Sequence, residues 1–374
     1  MQPSSPFPRL DTIPLPAPVW LFKVLHDLTT VLHFVAVQLL LGGLLLAVVW
    51  AFWGRKRQDE QLLGAANSVA KLLPIVMIYV INLGVPPLLF AQVLYGPALY
   101  TSSVLIGMFW ISVIFLLMLV YSLLYFVAGR AEKGRPWVWG AVVSLVVAAG
   151  IAFIYNSNMT LMLRPGVWAQ MYRADPHGLH LNTGDPTVLP RWLYALSGGV
   201  AVGGAGVALL AAWRRSDGGL LVVSRLWSPW LVLVGAVGQL VCGLWAYFAQ
   251  PGGVRETLWS SAWPAATLVL WLLLTIGLVV LAHVARLRWR GEAVVWPLAL
   301  AAGCLAETVG LTLARSSIRD AALAAAGFQV WDRAVAANWA VVILFVLSLL
   351  LAVVAVVWLT TIAVRAKGAV KSHA

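Results

Sequence analysis

The chain has 374 residues, of which 62% are hydrophobic and only 10% charged, and its mean hydropathy is +0.91. No soluble core needs that much apolar surface, so the composition excludes a soluble enzyme and calls for a polytopic membrane protein. A net charge of +12 would suggest a nucleic-acid partner in a soluble protein. Here the basic residues lie in short segments between apolar runs, where membrane orientation accounts for them, and no nucleic acid is expected.

Residues 1–19 read as a proline-rich arm holding Pro3, Pro6, Pro8, Pro14, Pro16 and Pro18, without the basic start and apolar stretch of a signal peptide. Residues 20–365 read as one all-α membrane domain and 366–374 as a basic tail. Apolar runs predict nine transmembrane helices, at about 29–53, 71–94, 103–128, 137–156, 192–213, 226–249, 262–285, 293–314 and 337–364. Most of the 25 basic residues follow predicted helices 1, 3, 5 and 7 or lie in the tail, Arg55, Lys56 and Arg57 among them. The positive-inside rule then puts the N-terminus outside, in the periplasm, and the C-terminus in the cytoplasm, as an odd helix count requires. The longer segments, 157–191 and 315–336, fall on the outer side, where a site or partner is expected.

Polar residues inside the spans are few. His33 lies in the first predicted helix and His26 seven residues before it, two turns and about 10 Å along the axis, so the two imidazoles share a face. An ionisable group in hydrocarbon is by default a functional-site candidate; the bland alternative is a neutral histidine bonded to a neighbouring helix. The second predicted helix carries Asn82, Gly84, Pro86, Pro87 and Gln92 and is expected to kink at the proline pair. Gly198, Gly199, Gly203, Gly204 and Gly206 form a small-residue face suited to close helix packing. Gln239 reads as a bond between helices. Glu307, the one acid well inside a span, is expected to be protonated, paired with Arg315, or part of a proton path. His177 and His180 make a weak metal pair with Asp175. Cys242 and Cys304 lie in separate apolar runs and read as small core residues. P-loop, GxGxxG, HExxH and CxxCH signatures are all lacking, the last excluding c-type haem attached in the usual way.

Several segments resemble the large, quinol-oxidising subunit of the cytochrome bd oxidases. That family has nine helices, an outside N-terminus and a haem-ligand histidine in a Thr-x-x-x-His-Phe setting on its first helix; here Leu28-Thr29-Thr30-Val31-Leu32-His33-Phe34 matches, with Lys23 ten positions before the histidine. Tyr155-Asn156-Ser157-Asn158-Met159, running on to Arg164-Pro165-Gly166, resembles the family's segment after helix 4. Gly184-Asp185-Pro186-Thr187 leading to Trp192 resembles its approach to helix 5. The likeness covers most of residues 20–213; the second half matches mainly by helix count.

The departures are as informative. Tyr194 stands where the family has a haem-ligand histidine, and predicted helix 7 has no methionine to serve as the other ligand. The family's Gly-Arg-Gln-Pro-Trp motif is reduced to Ala314-Arg315-Ser316-Ser317-Ile318, with Thr312 where a ligand glutamate would sit. The quinol loop is shortened to about 250–261, with Arg255 and Glu256 as its charges. Oxygen reduction is therefore not expected. The resemblance implies a bd-like subunit of a respiratory electron-transfer complex in the bacterial inner membrane. It would bind haem b through His33, with Tyr194, Met159 and Gln92 as further cofactor-site candidates, and pass electrons between quinone and a periplasmic c-type cytochrome. Glu307 and Arg315 would manage charge or a proton. A haem-free anchor for other membrane subunits and a transporter remain as alternatives.

Overall fold

The computed structural model describes residues 7–8, 14–214, 218–291 and 294–371, with the side chains of 352–353, 356–357, 359–361 and 363–371 excepted. The predicted arm lies largely outside these residues, and so does the end of the tail. Twelve helices follow in order: α1 (Val19–Arg57), α2 (Glu60–Ala70), α3 (Leu73–Leu105), α4 (Gly107–Glu132), α5 (Val138–Leu161), α6 (Pro165–Ala174), α7 (Val188–Trp213), α8 (Gly218–Phe248), α9 (Gly252–Trp259), α10 (Ala262–Arg288), α11 (Val295–Ala325) and α12 (Trp339–Lys371). Eight stretches among the described residues are long and apolar enough to cross a membrane: α1, α2 with α3, α4, α5, α7, α8, α10 and α11. The protein is thus an all-α, multi-pass membrane protein. The ninth predicted span coincides with α12, whose described apolar part, Trp339–Leu351, is shorter.

The chain divides into two compact units. The smaller comprises residues 10–24 and 331–374. Within it Leu15 pairs with Val335, its amide donating to Ala334 O at 2.8 Å and its carbonyl accepting from Ala336 N at 2.9 Å. The larger comprises residues 1–9 and 25–330 and holds everything that follows.

Within the larger unit the predicted glycine face of α7 does what small residues allow in a membrane, where close backbone approach replaces the hydrophobic drive. A Cβ on Gly42 of α1 would lie 1.9 Å from Gly199 O and 2.9 Å from the Gly203 Cα, so α1 and α7 touch backbone to backbone. On the other side of α7, Gly204 takes Leu231 of α8, and Gly235 of α8 takes Ala201. Ala201, Ala205, Ala208, Val232, Ala236, Leu278, Ala282 and Leu300 then close a core among α7, α8, α10 and α11.

Three sequence expectations need correction. The backbone of α3 leaves helical geometry at Tyr95 (φ −125°, ψ 22°), two residues before Pro97, and the Pro86–Pro87 pair stays within the helix. Pro97 removes the amide that would bond the Val93 carbonyl, which is the reason for a break there. Met159 lies inside α5, which runs five residues beyond its predicted end. Arg315, Arg319 and Asp320, placed in a loop by their polarity, are the continuation of α11, three turns past its predicted end at 314.

Candidate functional site

A cavity of about 330 Å³ opens among six helices of the larger unit. This is within the size range of small-molecule sites. From α1 the side chains of His26, Thr30, His33, Val37 and Leu41 enter its wall, spaced at three or four residues, so one face of the helix supplies them all. Opposite stand Met77, Val80, Gly84 and Pro87 of α3 and Ala148, Ile151, Tyr155 and Met159 of α5. Leu117 and Val120 of α4, Arg191 and Tyr194 of α7, and Leu311, Arg315 and Arg319 of α11 complete it. Most of the wall is aliphatic; the arginines give it one cationic end.

The two histidines that share a face have different surroundings. His26 is 4% exposed, and both ring nitrogens are taken: Nδ1 contacts the Pro87 carbonyl at 3.1 Å and Nε2 contacts Arg319 Nη1 at 2.6 Å. A guanidinium only donates and a carbonyl only accepts, so His26 is the neutral tautomer with its proton on Nδ1. Arg319 also lies over the Tyr95 ring, and Tyr95 donates its hydroxyl to Asp320 Oδ1 at 3.0 Å. His26, three residues before the start of the first predicted span, is thus a buried hydrogen-bonding residue.

His33 lies within electrostatic reach of the Val80 backbone, and its Nδ1 is buried with no hydrogen-bond partner. The ring lies against the backbone of α3 at Gly84, where a Cβ would come within 2.8 Å of its Cε1. Gly84 therefore reads as the residue that leaves room for the imidazole, beyond any role in bending the helix.

Beside the cavity lies a buried polar hub. Tyr194 donates its hydroxyl to Glu307 Oε1, Gln239 donates to Glu307 Oε2 at 2.9 Å, and Trp271 donates to the Tyr194 oxygen at 2.8 Å. All four side chains are buried, so every bond made here spares a desolvated polar group. Glu307, Leu311, Arg315 and Arg319 follow one another at four-residue steps, about 6 Å of rise each, along one side of α11. Glu307 is thus engaged with Tyr194 and Gln239, while Arg315 lies under the cavity with its guanidinium 4.9 Å from the Phe34 ring centroid.

The other predicted site residues are more scattered. Gln92 is half-buried on α3 and lines no part of the cavity. Arg255 and Glu256 lie on the short helix α9, which is packed down through Val254 and Leu258; Glu256 is exposed and the Nε of Arg255 is buried without a partner. Asp175 caps a turn, accepting from His177 N at 2.9 Å and Leu179 N at 2.7 Å. Those bonds, the one from His177 foremost, hold its carboxyl below the usual value of 3.8. No group of three or more His, Cys, Asp and Glu among the described residues is arranged to hold a metal ion.

Sequence reasoning passed over Arg191 and left Arg319 in a loop. A signal was present: Arg191, Arg315 and Arg319 all fall on the side where the positive-inside pattern expects few cations, and basic residues there call for another explanation.

The fold resembles that of bd oxidase from Geobacillus thermodenitrificans, with a TM-score of 0.62 over 94% of this chain and 99% of that one, at 14% sequence identity. This is a cytochrome bd-like membrane fold. No protein-family model matches the sequence, and no curated protein matches it.

Proposed function

We propose that this chain is a bd-like integral membrane subunit of a bacterial respiratory electron-transfer complex, with its N-terminus on the periplasmic side, binding one haem b through His33. The observation that carries the reading is the partnerless Nδ1 of His33 in the wall of a largely aliphatic cavity, in a fold like that of bd oxidase. The donor set suits the group: one imidazole nitrogen for the iron, the Met159 thioether in the same wall, and guanidinium groups at the cationic end. Bound haem supplies one-electron transfer, here between quinone and a periplasmic cytochrome; Arg255 and Glu256 on α9 are the proposed quinone contacts. The purified protein should show a Soret band and a pyridine haemochrome, both lost in His33→Ala. A stable but colourless preparation from haem-replete cells would overturn the reading.

One observation favours a second reading, a haem-free anchor for partner subunits. The Tyr194 hydroxyl, at the position of a family haem ligand, is committed to Glu307 and Trp271. Co-purification with membrane partners and no haem absorption would select it.

A further inference from the structure

Arg286 and Arg288 stand in the last turn of α10, where cations complement the negative end of a helix. Arg288 is exposed and needs no further reason. Arg286 is placed differently. It is half-buried, and its guanidinium crosses to α8 and lies 4.3 Å from the ring centroid of Trp230. Among the described residues it meets no hydrogen-bond acceptor and no carboxylate, and its Nε is buried without a partner. Trp289, three residues on and buried, likewise has an Nε1 without a partner.

An arginine at a membrane surface ordinarily extends its head into water, where its donors are satisfied. Stacking on an indole fixes the group over the aromatic face and leaves the edge of its planar fork for an acceptor. Unmatched donors on a partly desolvated guanidinium favour an anion, and two phosphate oxygens fit the fork.

Beside the fork the surface is apolar. Val234 and Val237 continue the exposed side of α8 from Trp230, and Val280 and Ile276 do the same on α10, which packs against α8. Gly277 is exposed, and a Cβ there would meet nothing within 4 Å, so the seam stays shallow and open. Ten residues separate Arg286 from Ile276, about 15 Å of helix rise. That is half of the roughly 30 Å hydrocarbon thickness, the depth of one leaflet.

We infer that the α8–α10 seam holds an anionic phospholipid, its phosphate on the Arg286 guanidinium and an acyl chain along the valines. Charge complementarity selects this occupant: an uncharged apolar partner would leave the fork unmatched, and a free phosphate would leave the aliphatic seam unused. The inference goes beyond the proposed function and uses neither His33 nor the main cavity.

The test is native mass spectrometry of the delipidated full chain in detergent, titrated with dioleoyl phosphatidylglycerol or dioleoyl phosphatidylcholine. These lipids share tails and phosphodiester and differ in net charge. The first phosphatidylglycerol should bind about tenfold more tightly than the first phosphatidylcholine, the size expected for one charge-assisted hydrogen bond. Arg286→Gln should remove that preference, Trp230→Leu should reduce it, Arg286→Lys should keep part of it and Arg288→Gln should keep it whole. Unchanged phosphatidylcholine binding shows that the variants are folded, and the comparison of lipids on the unsubstituted chain needs no variant. Equal binding of the two lipids, or a preference that survives Arg286→Gln, overturns the inference. So does a preference lost equally in Arg288→Gln, because diffuse attraction to the basic end of the bundle would then account for it. Displacement of the lipid by an equal concentration of inorganic phosphate overturns it as well.

Discussion

The Arg319 guanidinium meets Nε2 of His26 at 2.6 Å, joining the first turns of the cavity face of α1 to the far end of α11. A charged donor thus takes up the lone pair that would otherwise make His26 a ligand. Its neighbour two turns on, His33, keeps an imidazole nitrogen without a partner. The two histidines should therefore separate by assay. His26→Ala leaves a buried guanidinium short of an acceptor and should lower stability by about 2 kcal/mol, seen as a lower midpoint of thermal unfolding in detergent, while any haem absorption persists. His33→Ala should do the reverse.

Gly84 should be intolerant of enlargement. A Cβ there would lie 2.8 Å from Cε1 and 3.1 Å from Nδ1 of His33, so Gly84→Ala must push the ring aside and Gly84→Val must do so further. The expected result is a graded change in the Soret position or in haem retention. Unchanged spectra in both variants would show that the ring does not rest on α3.

The Tyr194–Glu307–Gln239 hub predicts an unequal response to two substitutions at one site. Glu307→Ala strands the Tyr194 hydroxyl and the Gln239 amide together and should cost about 2–4 kcal/mol. Glu307→Gln should cost much less. The Gln239 Oε1 has no partner, so turning that amide over offers an acceptor to the new side-chain NH₂. Unfolding midpoints of the two variants, and of Gln239→Leu, which removes the amide, check the arrangement.

The turn capped by Asp175 should weaken in acid. Its carboxyl titrates below the usual value in the folded chain, so its contribution is fully present above the ordinary carboxylate range and is lost as pH falls through the lowered value. The protection of the His177 and Leu179 amides against hydrogen exchange, taken relative to the unstructured rate at the same pH, should fall there, and in Asp175→Ala should be absent at every pH.

The sequence by itself determined the parts whose cause is local or set by the solvent. Long apolar runs fixed the class and the approximate spans, because the bilayer core demands about 20 apolar residues and satisfied backbone bonds. The spacing of His26 and His33 fixed that both face the same way, and the glycine series of α7 announced a close helix contact that Gly42 supplies.

Only the tertiary structure decided which histidine keeps a free nitrogen, because that depends on Arg319, 293 positions from His26 in the chain. It also decided that Arg315 and Arg319 belong to a helix. Their charge argues for water when read locally; a cavity and a histidine on neighbouring helices give them a reason to stay within the bundle. Gly84 likewise reads as part of a kink until the imidazole packed against it is seen. Hydropathy records how residues sort between water and lipid, and it is silent on polar groups that meet one another across helices.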